Sequence, residues 1–541
     1  MNRTAQTLFA LAALAALLLT PLVPALAQET EPEEPEIVLP RVLLEIEDLS
    51  VETITAGLPE DELLPEELEV PLPEPEDLVI DEPSIMLSPP RAESTVLTRE
   101  EGKYVNFEGV IGVGSRNNFM SGFSLYQFER EPEGRLVFEH EIYDGLSGFE
   151  EGTGYNLRED SIEGSIEFNA KKLEVELNGG FDDHERGLQG LGDYYSKISR
   201  YGNAFGGLTY PFGDRFSLGF GLGADFTSQL LTASGSSAPD SDKVREYLAY
   251  ASLDGRYRFD RGYVGLEPGA SYRDRADGAY QLTRARIRGY FAVDLGEVTR
   301  LEGDVSWFWS TSSAHLVPFR LTLFTYPNDL FSLSLSGGYR LLEYNLHYLF
   351  EYYPYAELPS ELKDDYGWFF DAGSHIHVAR AWVLNAGISF MDASGMFTTT
   401  DTTGPATGQF PVNQTAASRL SMELGIRWSQ STRFSAYGSW IYDILDRPRF
   451  FPQHSFNMEL NWDGRSGKYG ADLTAVQTIG VNDFVQAPIV DLSGYYRIAD
   501  FIRLVGEAND ILYPALDKPR YDWYPFVDVG LQFAFKVYIN F

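Results

Sequence analysis

From Lys103 onward the chain alternates apolar and polar residues with a period of two, which fits strands having one apolar and one wet face and does not fit amphipathic helices. Leu301, Gly303, Val305, Trp307 and Trp309 share one face, while Arg300, Glu302, Asp304 and Ser306 share the other. The pattern recurs: Leu420, Met422, Leu424, Ile426 and Trp428 alternate with Arg419, Ser421, Glu423 and Arg427. Phe456, Met458, Leu460 and Trp462 alternate in the same way with Ser455, Asn457, Glu459 and Asp463. The fold class is therefore all-β. Alternation alone suits a soluble sandwich and a membrane barrel equally, so the bracketing features decide between them.

The first bracket is export. Arg3 precedes an apolar stretch from Leu8 to Leu19, and Ala25-Leu26-Ala27 offers small residues for cleavage before Gln28, so residues 1–27 read as a signal peptide. That stretch is shorter than the ~20 residues a spanning helix needs, and no longer apolar run follows. The absence of cysteine excludes disulfides, thiolate metal sites and cysteine nucleophiles. A net charge of -38 argues against a nucleic-acid partner, whose phosphates require clustered Lys and Arg.

The second bracket is a change of composition. Residues 28–101 carry 23 acidic residues against Arg41, Arg91 and Arg99, with 11 prolines. Self-repulsion and proline predict an extended, disordered acidic segment without a core of its own, placed in the periplasm and available to a periplasmic partner. Its repetitive "LPEDELLPEELEVPLPEPEDL" is low complexity rather than a structural repeat. The remaining residues, 102–541, form the predicted barrel domain. At ~20 residues per strand with its connection they give about 22 strands, within a range of 18–22.

The third bracket is the sorting of connections. Short turns are expected at 132–134 ("PEG"), 212–214 ("FGD"), 259–261 ("FDR"), 295–297 ("LGE") and 379–381 ("ARA"), each after an even-numbered strand. Longer loops are expected at 146–158, 231–243, 342–364 and 398–415, each after an odd-numbered strand. Short turns on one rim and long loops on the other distinguish an outer-membrane barrel from a sandwich, and an even count leaves both termini periplasmic. Aromatic residues that cap the apolar faces suit the lipid interfaces of the outer membrane.

The final residues carry the most specific motif. Leu531, Phe533, Phe535, Val537, Ile539 and Phe541 have one parity, and the last is aromatic. This resembles the terminal signal by which outer-membrane barrels are recognised by the barrel assembly machinery. Phe533, Phe535, Val537, Ile539 and Phe541 are the residues assigned to it.

A size of 22 strands is that of plugged outer-membrane transporters rather than of 16- to 18-stranded porins. The stretch "VDLSGYYRIADFIRLVGEANDILYP", Val490 to Pro514, resembles the penultimate hairpin of TonB-dependent receptors, with Asn509, Asp510 and Leu512 in comparable places. The resemblance is closest over the last 50 or so residues and elsewhere is one of barrel architecture. It implies transport of a solute. The chain departs from the family in lacking room for a conventional plug, since residues 28–101 are too short and too acidic. "PEIVLPRV", Pro35 to Val42, faintly resembles a TonB-contacting box, although such strings are common. A plain periplasmic tether is the simpler reading, and folding of this segment into the lumen, where its carboxylates meet lumenal Arg, would make it a gate.

Parity also selects the lumenal residues. If 295–297 is a three-residue turn, Asp294 opposes Val298 and Arg288 opposes Asp304. Arg284, Arg286, Arg288, Arg300, Glu302 and Asp304 then line the lumen. They would either select the charge of the solute or form a cross-strand ionic network that keeps the wall wet and rigid, and the network is the favoured reading. No cofactor or metal is expected. His375 and His377 would supply two metal ligands, with no third in view. Asp182-Asp183-His184 is similar in form to the dyad of omptin proteases, in which a carboxylate orients His to activate water, but the second acidic pair of those ten-stranded enzymes has no match.

The expected function is therefore passage of an unknown solute through a polar lumen, passive or gated by the acidic segment. The protein is not expected to be an enzyme. Energised uptake would require a plug or a partner supplying one. The alternative from another class is a structural or adhesive barrel with a closed lumen.

Overall fold

The computed structural model describes residues 105–541 apart from 129–130, 146–151, 234–242, 313–314, 329, 400–402, 404–406, 432, 446–451, 481–485, 517–519 and 524–525. Residues 1–27 and 28–101, with the expectations attached to them, lie outside the described residues. Among the described residues, 22 antiparallel strands make one sheet, from Asn106–Gly114 to Gln532–Asn540. Each strand pairs with the next, and the last pairs with the first, with Glu108 opposite Asn540 and Gly114 opposite Ala534. Closure removes both sheet edges, so the barrel's backbone donors and acceptors are satisfied between strands in lipid. No helix among the described residues is long and apolar enough to cross a membrane.

The connections sort as their lengths predict. On one rim the strands ending at Phe212, Phe259, Asn328, Ala379 and Ala499 are followed by strands beginning at Phe216, Gly262, Phe331, Trp382 and Ile502. On the other rim Leu342 is followed by Asp365, Thr399 by Val412 and Asn509 by Gln532. Gly213 stands at φ 77° in the turn between Phe212 and Phe216, a backbone setting that a residue with Cβ adopts at a cost.

The apolar parity faces outward. Val305 is 52% exposed and Trp307 41%, whereas Phe308, on the opposite face of the same strand, is 1% exposed. Two aromatic girdles bound this band. At the short-turn rim Trp382 stacks on Trp428 at 5.7 Å, with Phe434 edge-on to Trp428 at 5.4 Å. At the other rim Trp440, Tyr442 and His454 stack on one another, and Phe319 meets Trp368 edge-on at 5.8 Å. Phe434 and Tyr442 share one strand, and at ~3.4 Å per residue and a tilt of ~40° they differ in height by ~21 Å, close to the ~25 Å apolar band of outer-membrane barrels. The fold is a transmembrane β-barrel of the outer-membrane type.

The register at one turn differs from expectation. Asp294 opposes Arg300 rather than Val298, and Arg288 opposes Ser306 rather than Asp304. The Leu295 N–H donates to the Thr299 carbonyl at 2.8 Å, so the three-residue turn sits one position later, at 296–298, and the pairing slides by two. Because the slide is even, every side chain keeps its face.

Candidate solute pathway and its extracellular lid

Residues 343–364, between the strands Phe331–Leu342 and Asp365–Ala379, fold inward and carry a short helix, α1 (Leu346–Tyr352). Asn345 caps it, its side-chain oxygen accepting from the Tyr348 N–H at 2.8 Å. Leu346 and Leu349 are fully buried, packed with Tyr344 and Phe350 of the same segment and with Tyr280, Leu282 and Phe397 from outside it. Burying a leucine is worth ~1.5–3 kcal/mol, enough to draw a loop of this composition out of water.

Polar anchors from the barrel wall hold the same segment. Glu246 accepts from the Leu346 N–H at 3.0 Å and from the Tyr280 hydroxyl. Arg273 donates to the Tyr344 carbonyl, and Arg275 to the Pro359 carbonyl at 2.6 Å. Lys197 donates to the carbonyls of Pro354 at 3.0 Å and Ala356 at 3.3 Å, with its ammonium 4.3 Å from the centre of the Phe350 ring. Tyr201, on the strand Tyr194–Phe212, stacks on His347 of α1 at 3.6 Å.

Two further loops join the lid. Phe410 bridges to Ala356 and packs with Leu188, Leu231, Tyr355 and Phe526, the last two stacked at 3.6 Å. Gln189 and the backbone of Val527 exchange two hydrogen bonds, at 2.9 and 2.7 Å. Phe526 is delivered by a small hairpin, Tyr521–Trp523 with Phe526–Val527, in the last long loop. That loop is tied by Arg520, which donates to both Asp510 carboxylate oxygens and to Asp528 at 2.6 Å. Asp510, at φ 55°, makes the left-handed turn that starts the loop.

The residues selected by parity fall into two groups. Arg284 is 3% exposed and belongs to the lid seam, donating to Glu343 at 2.9 Å and to Asp364. Arg286 lies 2.9 Å from Glu267, and Arg288 bridges Glu267 at 3.5 Å and Asp304 at 3.3 Å. Asp304 also meets Arg320 at 3.2 Å, and Arg300 meets Glu302 at 2.7 Å. Each of these arginines thus has a carboxylate partner on its own or an adjacent strand. Phe533 and Phe535 point outward, 54% and 48% exposed, on the same parity as Val537 and Ile539. Phe541 stacks near Phe107 at 6.3 Å and Phe501 at 6.0 Å.

Asp182 and His184 face the lumen, whereas Asp183 points the other way and meets Arg200 at 3.0 Å and Arg158 at 3.5 Å. His375 Nδ1 lies 2.7 Å from the Asn385 side-chain oxygen. Among the described residues no group of three or more His, Asp or Glu is arranged to hold a metal ion.

Under α1 a polar cavity of about 740 Å³ runs along the lumenal wall, from Arg186 and Lys197 near the lid down to Arg135, Ser165 and Asn178. Within the lid, burial and then nearby His184 hold the His347 imidazole below its ordinary value. Burial also holds the Glu351 carboxyl above its ordinary value, and Asp182 adds to this. The sequence did carry a signal for the lid: "LLEYNLHYLFEYYPYAEL" is too apolar for a loop left in water. Lys197, Glu246, Arg273 and Arg275 carried none, because their partners lie far away in sequence.

No protein-family model matches the chain, and no curated protein sequence matches it. Solved structures do. The copper transporter OprC is 12% identical, with 82% of each chain covered and a TM-score of 0.64. The FrpB iron transporter from Neisseria meningitidis is 11% identical, with 82% of each chain covered and a TM-score of 0.62. A mutant of the ferric enterobactin receptor PfeA from Pseudomonas aeruginosa is 11% identical, with 81% of each chain covered and a TM-score of 0.61. At such identity the likeness is one of architecture, and the barrel of this chain has the fold of TonB-dependent outer-membrane receptors.

Proposed function

We propose that this protein passes solutes across the outer membrane through its polar lumen, and that the inward-folded segment 343–364 closes the extracellular mouth at rest. The observation that carries this reading is the seam of the lid. Beside its two apolar clusters it is held by hydrogen bonds and ion pairs from wall to loop, and it lies over a polar cavity of about 740 Å³. Polar seams exchange with water on opening at a modest net cost, whereas a structural plug needs apolar packing throughout. Transport as the function also draws on the similar structures, whose names are those of copper, iron and ferric enterobactin transporters or receptors. Nothing in this reading requires an enzymatic step.

The lumenal network around Arg288 and Asp304 sets the wall's charge and keeps it hydrated. The acidic segment 28–101 is assigned a second gating role from the periplasm, alone or through a periplasmic partner. Lipid contacts fall to the outer apolar band, and recognition by the assembly machinery to Phe533, Phe535, Val537, Ile539 and Phe541. The closed lid also suits the structural or adhesive alternative.

Single-channel conductance of the folded full-length protein in planar bilayers decides between the two. It is compared with a version lacking residues 28–101 and with Lys197→Met, which loosens the lid. Pores that appear or enlarge in either variant support transport. Silence in all three, in protein shown to be folded, gives the structural reading the lead.

A further inference from the structure

We propose that the cavity beneath the lid binds a small organic cation, an amine-bearing solute. This deepens the transport reading and rests on it.

The argument starts from which charges in the cavity are already committed. Four basic side chains line it, and each is engaged elsewhere. Arg186 lies 3.5 Å from Glu159, and Lys197 is held by the Pro354 and Ala356 carbonyls. Arg200 reaches Asp183, whose strand places it opposite to the cavity residues Asp182 and His184, and Arg135 lies over the Tyr126 ring at 5.9 Å. Of the four carboxylates, Glu159 is the one that Arg186 engages, and the other three are less committed. Asp182 and Glu163 have no hydrogen-bond or ion-pair partner among the described residues, and the nearest partner of Glu351 is His347 Nε2 at 3.6 Å.

Geometry brings these free acceptors together. Glu163 and Asp182 stand on adjacent strands, with Glu163 opposite Gly180 and Ser161 opposite Asp182, so the two carboxylates are diagonal neighbours on one face. Gly180 contributes no side chain to fill the floor between them. Thr227, also lining the cavity, is 3% exposed and its hydroxyl has no hydrogen-bond partner among the described residues. An ammonium group offers three donors, which the two carboxylates and the nearby Asn203 amide oxygen accept, and Thr227, two strands beyond Asp182, is left for a second amine of the same solute. Tyr201 and Phe350 line the same cavity, each with one ring face already taken, by His347 and by Lys197. A bare metal ion fits less well, since among the described residues no three His, Asp or Glu converge to coordinate one.

The test is equilibrium binding of spermidine to the folded full-length protein in detergent, by calorimetry at pH 8. At that pH histidines are largely neutral and the amines of spermidine stay charged. Maltotriose serves as the neutral comparison and Mg2+ as the competitor. Spermidine is expected to bind and maltotriose not, and Glu163→Gln with Asp182→Asn should weaken spermidine at least ~tenfold, the scale of a lost charge-assisted contact. Single substitutions, and heat-modifiable migration as a check of folding, guard against a misfolded double variant. Equal binding of maltotriose, undiminished affinity in the folded double variant, or displacement by Mg2+ at matched ionic strength would each overturn the proposal.

Flux into proteoliposomes separates this inference from the transport reading. If spermidine binds but neither solute crosses when the lid is loosened, transport fails and the cation site stands. If maltotriose crosses and spermidine does not bind, transport stands and the cation site fails.

Discussion

Lys197 Nζ lies 3.0 Å from the carbonyl oxygen of Pro354, a residue 157 positions further along the chain. Its ammonium is 2% exposed as part of the residue, and a second carbonyl, that of Ala356, completes its grip. A wall strand and a loop from a distant part of the barrel are joined by this one side chain. Lys197→Met keeps most of the aliphatic stem and removes both hydrogen bonds. At ~0.5–1.5 kcal/mol for each hydrogen bond, with the loop carbonyls regaining water when it opens, the closed lid should lose ~1–3 kcal/mol. The expected result is faster cleavage of residues 343–364 by protease in intact cells, with barrel thermal stability little changed. Unchanged cleavage would show that the apolar seam alone holds the lid.

Acid should loosen the lid through His347. Its imidazole, stacked on Tyr201, is held below the ordinary value near 6.5 by burial first and by His184 second. A depressed value means that the closed lid favours the neutral ring, so this contribution is present above about 6.5 and is lost as pH falls through the depressed value. Glu351 and His184 lie beside the same ring, and Asp182 acts on Glu351. Glu351 has the opposite shift, and taking up a proton eases its own burial as pH falls, which partly offsets the loss. Channel openings should become more frequent between pH 7 and 5, and His347→Phe should remove most of that dependence. A profile unchanged in the variant would assign the response elsewhere.

Arg288 bridges Glu267 and Asp304 from the middle of its strand. Arg288→Gln removes one positive charge and leaves Glu267 to Arg286 and Asp304 to Arg320. Because the pairs are partly exposed, the stability cost should stay near ~1 kcal/mol or below. The lumenal potential, however, becomes more negative, so in a Lys197→Met background the reversal potential in a KCl gradient should shift toward cation preference. No shift would mean that permeating ions do not pass this sector of the wall.

Phe541 combines a packing role and an assembly role, and the two separate experimentally. Its backbone exchanges hydrogen bonds with Phe107, and its ring neighbours Phe501 and Phe107 at the barrel seam. Phe541→Ala should leave refolding into detergent micelles largely intact, since the ring is 58% exposed, while lowering the amount of folded barrel recovered from outer membranes several-fold. Equal losses in both settings would make the residue structural only.

What the sequence determined by itself is the barrel wall. Side-chain parity is a local property of a strand, so Trp307 outward and Asp304 inward follow from neighbours in the chain. Turn and loop lengths are likewise local, and their alternation yields a closed sheet with two unlike rims. Even the slipped turn at Leu295 left the faces intact, because a shift of two residues preserves parity. The lid was decided only in three dimensions. An aromatic loop signals that it must be buried, but not where. The site was chosen by Glu246, Arg273 and Lys197, which lie between about 70 and 160 positions from the groups they hold. The same reason explains Arg284, which parity places in the lumen beside Arg286 and Arg288. Tertiary structure sets it against Asp364 and Glu343, because only the folded loop brings those carboxylates to it. Periodicity fixes the side of a wall that a residue occupies, whereas its partner across the lumen depends on closure of the whole barrel.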